Sequence, residues 1–476
     1  MKKHTQLTVR KASALLLSLA MGLSLAACGG DASSSAAAGT DATAENAQTE
    51  ATDTADSGEK VHITYAFWGG EDEAANTQKT LDIFNASQDR IEVEAIPIPW
   101  ETYMEKLNTM ATGGQLPDCA LMSEAGVLQW AEQGMLLDIS DMYGPDDPQP
   151  LDCVTYTYEG KPVAYATANN SLVMFYNKDM FDAANVEYPP TDVANAWTWD
   201  EFVDVAKQLT LDSSGRNAKD PNFDPNSIVQ YGCMVENLTW QLEVWCRSNG
   251  SGFYSEDGST VTINEDAAVE ALQAVADLYL VDHVAPLSTG LTDDGVQRSL
   301  IAGTCAMTTN GAWNIGTCLE EARNEGLNYG VAVLPYMKDK VTICTGGPNV
   351  VFSQSEHPEE AMEFIKWYSS EENSWDSLIA KDIWMPITEP YYTDEEMTKK
   401  WLENPSYPAY EESKPVLCDY VRDYAVPTSW YYTNNTVDFN ALLGSVLGDV
   451  WTGKTTAREA IDANYDALVA AHDGMG

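Results

Sequence analysis

Histidine is the side chain best suited to moving protons near neutral pH, and this chain holds five, His4, His62, His283, His357 and His472. None stands in an H-E-x-x-H pair, no G-x-S-x-G elbow presents a serine, and no Walker loop is present. Glycoside hydrolysis needs only two carboxylates, and the 73 Asp and Glu residues offer pairs without singling one out. Asp220-Pro-Asn-Phe-Asp224-Pro-Asn226 places oxygens at alternate positions, as a calcium loop does. Its sixth position is Pro225 rather than glycine and its twelfth is Tyr231 rather than glutamate. It reads as an acidic surface loop, and no metal or cofactor is expected.

The aromatic residues suggest binding rather than bond breaking. There are 14 Trp and 23 Tyr against 10 Phe, a bias toward rings with a polar handle. Sugars are held by such rings on their apolar faces and by carboxylates and amides on their hydroxyls, because each buried hydroxyl needs a partner. The composition suits a carbohydrate cleft without establishing one.

Cys28 raises a separate chemistry. Lys2, Lys3, Arg10 and Lys11 precede an apolar run of sixteen residues, Ala12 to Ala27. That is short of the ~20 residues of a membrane span and has the layout of a secretory leader. Leu25-Ala-Ala-Cys28-Gly29 resembles the bacterial lipobox, which implies a leader at 1–27 and a lipid on Cys28. Residues 29–59 lack aromatics and branched aliphatics, so they cannot offset the entropy of ordering. At 28–59 a lipidated tether is expected, with an r.m.s. reach of roughly 30 Å.

Formal charge is −47, and removal of the four leader cations takes it to about −51. A surface of that sign repels nucleic acid and favours solubility. Eight further cysteines follow, Cys119, Cys153, Cys233, Cys246, Cys305, Cys318, Cys344 and Cys418. An even count in an exported chain permits disulfides, yet no C-x-x-C occurs and several lie in apolar runs where a free thiol packs as a small hydrophobe. Their pairing stays open.

The elements that would position these groups alternate. Val61, Ile63, Tyr65 and Phe67 have strand periodicity, as does Ile91–Ala95. Between them a polar segment from Glu71 leads to a helix with Leu81 and Phe84 on one face. Met104, Leu107, Met110 and Ala111 mark a second helix, ended at Gly113-Gly114. Thr198-Trp-Asp-Glu201 is a capping box before Phe202, Val205, Ala206 and Leu209. Pro358 opens a helix carrying Ala361, Phe364, Ile365 and Tyr368. Strands alternating with helices predict an α/β fold with a parallel, doubly wound sheet.

Several segments resemble the extracellular solute-binding proteins of ABC importers, family 1, the maltose-binding-protein-like group. They are Gly114-Gln-Leu-Pro-Asp118, Gly160-Lys-Pro-Val-Ala-Tyr165, Phe175-Tyr-Asn-Lys-Asp-Met-Phe181, Thr308-Thr-Asn-Gly-Ala-Trp313, Leu327–Pro335 and Gly346-Gly-Pro-Asn-Val-Val-Phe352. The likeness spans residues 60–476. Two departures stand out: Ala166–Asn170 replaces the proline expected after Tyr165, and the stretch from Pro190 to Trp199 is long.

The resemblance implies a two-lobed periplasmic-binding-protein fold (type II), with lobes at 60–166 plus 347–385 and 167–346 plus 386–476. A hinge would join them around a ligand cleft. It implies a binding protein and no enzyme, a small solute of the carbohydrate class, permease transmembrane subunits as partner, and a monomer. A lipid anchor on the outer face of the cytoplasmic membrane of a Gram-positive cell is also implied. A polyamine or a peptide is the competing ligand class, and a glycan-degrading enzyme is the remote one. In the cleft the resemblance sets Trp68 and Glu71 at a strand end, Ser123 and Glu124 in the matching loop, and Asn169 and Asn170 at the first crossing. Trp313 is its stacking ring, with Trp430 and Tyr431 as a late aromatic pair. Glu236 and Trp240 are further candidates, although Trp240 and Trp245 could equally be helix-face core. Gly346 and Gly347 would let the backbone approach ligand closely, and Trp384 is either a ligand contact or hinge packing.

Overall fold

The computed structural model describes residues 60–474 except 145–146, 148–149, 288–294, 380–383 and 434. The leader, Cys28 and the tether expected at 28–59 lie outside the described residues. Among the described residues no helix is long and apolar enough to cross a membrane.

Two sheets organise the chain. The first runs Asn349–Val351, Cys119–Leu121, Val61–Trp68, Ile91–Ile98. Val61–Trp68 is parallel to Ile91–Ile98 and to Cys119–Leu121, and only Asn349–Val351 runs against its neighbour. The helix Glu71–Ser87 crosses over between the first two strands and buries Leu81 and Phe84. Phe364 and Tyr368, from the helix Pro358–Ser369, close over Tyr65 with ring centroids at 5.1 and 5.3 Å.

The second sheet has seven strands built around Asn170–Asn177, every residue of which is buried. That strand is antiparallel to Cys305–Gly311, Tyr329–Ala332 and Thr342–Thr345. Ile228–Val235 and Ala425–Pro427 add parallel pairs farther out. The expectation of a wholly parallel sheet therefore holds for three strands of the first sheet and fails for the second. Apolar periodicity identifies a buried strand and carries no information on its direction.

Local signals read in the sequence take physical form. Asn177 ends its strand and caps the helix Lys178–Ala184, its side-chain oxygen accepting from Met180 N at 3.2 Å. The Thr198 box is complete: Glu201 N donates to Thr198 Oγ1 at 3.2 Å and Thr198 N donates to Glu201 Oε2 at 2.8 Å. Glu71, expected in a loop, is instead the first residue of its helix, which starts there because Gly70 N donates to Glu73 Oε2 at 3.0 Å.

Replacing Thr198 by Ala removes an N-cap acceptor from a helix whose Phe202, Ala206 and Leu209 face the core. It should cost about 1 kcal/mol in urea unfolding at neutral pH; an unchanged midpoint would show that the cap contributes nothing.

Candidate functional site

Three segments pass between the sheets, and they are bonded to one another. Tyr165 bridges Asn349, and Met385 N donates to Asn169 O at 2.8 Å. On the segment of Asn349, the second of the three, a β-carbon on Gly346 would lie 2.0 Å from the Ala168 carbonyl oxygen. One on Gly347 would lie 2.5 Å from the Trp68 ring. Both positions need glycine because there is no room for a side chain.

Trp68 leaves the end of its strand and meets Trp100, Tyr103 and Trp384 edge-on, with centroids at 5.2, 5.4 and 6.3 Å. Trp68 and Trp384, both named from the sequence, are thus brought together with Trp100, which was not named and is 54 % exposed. Trp100 follows the end of Ile91–Ile98 as Trp68 ends its own strand, so the same rule of looking at strand carboxyl ends would have found it.

A second aromatic group assembles from three distant parts of the chain. Trp240 lies between Trp313 and Trp430, at centroid distances of 5.9 and 5.7 Å. All three rings are half-buried rather than sealed in the core. The N-G-A-W motif explains Trp313: a β-carbon at Gly311 would strike its ring at 1.9 Å, so the indole folds back over bare backbone. Asn170 Oδ1 accepts from Trp313 N at 3.2 Å and fixes the turn. The residue before Trp430, Ser429, is held by Glu243, a buried carboxylate absent from the sequence candidates, whose Oε2 accepts from Ser429 N and Oγ at 3.2 and 2.9 Å. Burial pushes the Glu243 carboxyl up, while Arg247 and Ser429 pull it partly back. An acid three residues beyond Trp240 on one helix, with Leu242, Val244 and Trp245 around it, is the signal that could have revealed it.

Around these rings are polar atoms without partners among the described residues. Trp430 Nε1 is buried and donates to nothing. Asn169 gives its Nδ2 to Tyr392 Oη at 3.0 Å but its Oδ1 is unmatched. Leaving such a group unpaired costs about 1–3 kcal/mol, a cost a hydroxylated ligand can remove.

The other sequence candidates are placed as follows. Glu124 opens the helix Glu124–Glu132 and turns to the crossing, its Oε1 accepting from Thr345 Oγ1 and Gly346 N. Ser123 is the N-cap of that helix and is buried. Tyr431 stacks on Tyr156 at 4.1 Å, and Tyr156 Oη donates to Gly346 O at 3.3 Å. Glu236 is fully buried and accepts from Arg298 at 3.2 Å. Glu71 is exposed and is not brought into either aromatic group. Trp245 packs against Trp199 and is core. Asp220 and Asp224 each bond the backbone of their own turn, to Asn222 N and Asn226 N. A surface cavity of about 340 Å³ beside Trp367 and Trp375 contains none of the candidates, and Lys400 already covers the Trp375 face at 4.1 Å.

The profile of the bacterial extracellular solute-binding protein family matches residues 79–408. A putative binding protein of Brucella abortus is 24% identical over 322 residues, 65% of this chain and 72% of the relative. Among solved structures, an ABC substrate-binding protein of Listeria monocytogenes in complex with cycloalternan superposes with a TM-score of 0.70. It is 22% identical and covers 88% of this chain and 100% of its own. A solute-binding protein of Thermotoga lettingae bound with α-D-tagatose gives 0.70 at 20% identity, covering 87% and 100%. These likenesses show the two-lobed fold.

Glu124 gives a pH test of the crossing. Burial raises its carboxyl above the ordinary 4.5, against the opposing pull of Thr345 and Gly346. The folded state then holds the proton more tightly than the unfolded chain, so the contribution to stability is complete below pH 4.5 and is lost as pH climbs through the raised value. Glu124→Gln keeps an acceptor oxygen and cannot ionise. Its unfolding free energy should gain on wild type as pH rises toward neutrality in stepped urea titrations, and a constant difference would contradict the reading.

Proposed function

Because this chain belongs to the bacterial extracellular solute-binding protein family, we propose that it is the solute receptor of an ABC importer. It takes a mono- or oligosaccharide between its lobes, closes, and delivers it to permease transmembrane subunits. No bond is made or broken. The carrying observation is the group Trp240, Trp313 and Trp430, half-buried, with the Trp430 N–H buried and unmatched. Indole faces suit the C–H faces of a pyranose, and an unpaired N–H suits its hydroxyl. The cycloalternan and tagatose of the structural neighbours favour the same ligand class.

The lobes of this reading are 60–166 plus 347–385 and 167–346 plus 386–476. The partition is supported by the strands, since the first sheet draws only on the former and the second only on the latter. Closure is a hinge motion driven by contacts made only when ligand is held. Cys28 carries the lipid in this reading, and the receptor works as a monomer from the outer face of the cytoplasmic membrane, on a 28–59 tether. The Gram-positive assignment goes with that anchor.

A thermal-shift screen of the secreted chain should find its hit among sugars and oligosaccharides. A ligand at one hundred times its Kd adds about 2.7 kcal/mol. Trp313→Ala should weaken that hit by ~2 kcal/mol, about thirtyfold in Kd, measured below the variant's own unfolding transition. Stabilisation by spermidine or a peptide alone would replace the ligand class and leave the receptor role.

A further inference from the structure

Among the eight described cysteines one pair of sulfurs meets. Cys153 Sγ and Cys344 Sγ are 2.9 Å apart across 191 residues of chain, less than about 1 Å beyond a bonded pair. The other six have contacts to oxygen instead: Cys119 to Thr64 O, Cys233 to Val284 O, Cys246 to Ala268 O, Cys305 to Thr304 Oγ1, Cys318 to Asn314 O and Cys418 to Tyr392 O.

The two thiols sit at the crossing. Cys153 is in the turn Asp152–Val154, which is tied to the third crossing segment because Leu151 N donates to Ile387 O at 2.8 Å. Cys344 is in Thr342–Thr345, paired with Ser171 on one side and Pro427 on the other. Its next two residues, Thr345 and Gly346, are the ones that hold Glu124. Three residues beyond Pro427 is Trp430.

We propose that Cys153 and Cys344 are a disulfide site, whose closure staples the turn Asp152–Val154 to the strand Thr342–Thr345 and clamps the crossing beneath the aromatic site. The family's extracellular station allows such a bond to form and persist. The oxidant is an external small-molecule disulfide. Cys153, the less buried partner, attacks it as the thiolate, forming a mixed disulfide and releasing one thiol. Cys344 then displaces the second thiol, closing the Cys153–Cys344 bond. The two cysteines lose two electrons and two protons, and the external disulfide becomes two thiols. The Cys153 neighbour first and burial next push the Cys344 thiol well above the ordinary range, so Cys344 is the poorer first attacker, and its 2.9 Å approach to Cys153 Sγ sets it to resolve the mixed disulfide. Joining positions so far apart in sequence restricts the unfolded chain strongly.

The test treats the full reduced chain with oxidised glutathione, alkylates it in denaturant, and maps its peptides. A linked Cys153–Cys344 peptide, lighter by two hydrogens than the free pair and lost on reduction, is expected. The oxidised protein should unfold at a higher temperature than the reduced one, and Cys153→Ser should show neither the link nor the shift. Alkylation of both cysteines after oxidation, or glutathione left on Cys153, would overturn the site. A link that leaves the unfolding temperature unchanged would overturn the clamp. The peptide map of the wild type stands whether or not the serine variant folds.

Discussion

The structure depends on how closely three strands of backbone pass between the two sheets. With Gly346 pressed on the Ala168 carbonyl and Gly347 under Trp68, the crossing leaves no space for a side chain at those two positions. It is therefore bonded through main chain and through a few inserted polar groups. Thr167 Oγ1 and Ser369 Oγ share a hydrogen bond at 2.7 Å, and Asn349 Nδ2 donates to Ser369 Oγ at 3.0 Å. Glu371 takes Ile387 N and Thr388 N, each at 2.9 Å, and holds the last crossing segment. From this knot both aromatic groups are positioned: Trp68 through Gly347, and Trp313 through Asn170.

That arrangement separates packing from recognition. Rings that serve only the core, such as Trp245 and Trp401, are sealed. Those beside the crossing keep part of their faces uncovered and leave individual hydrogen-bonding atoms unmatched. Folding meets the cost of unpaired polar atoms elsewhere, and a ligand can lower it only in the bound state. The large negative charge plays no evident part, since the acids named at the site are buried and engaged by Thr345, Ser429 and Arg298.

Much of this was legible in sequence, for reasons that differ by element. Strand alternation at Val61–Trp68 and the Thr198 box depend on neighbours in the chain, so they could be read directly. The N-G-A-W turn could be recognised, but its reason needed the structure, since the ring that excludes a Gly311 side chain belongs to a residue two positions on. Strand direction in the second sheet was hidden because buried strands look alike in either sense. Glu243 was hidden because, Arg247 apart, its partners Ser429 and Tyr432 are 186 and 189 residues away. The carboxylate of Glu124 lies 222 residues from the Gly346 amide it accepts from, so its turn toward the crossing had no local trace either.

The central claim is that the tryptophan group beside the crossing receives the ligand. Its most direct test is the indole N–H spectrum of the ¹⁵N-labelled protein, with the Trp430 signal assigned by Trp430→Phe, recorded as the best-binding sugar is added. The account predicts that the Trp430 proton moves to the position of a hydrogen-bonded indole, with Trp240 and Trp313 shifting alongside it. A saturating sugar that leaves all three signals in place would contradict it.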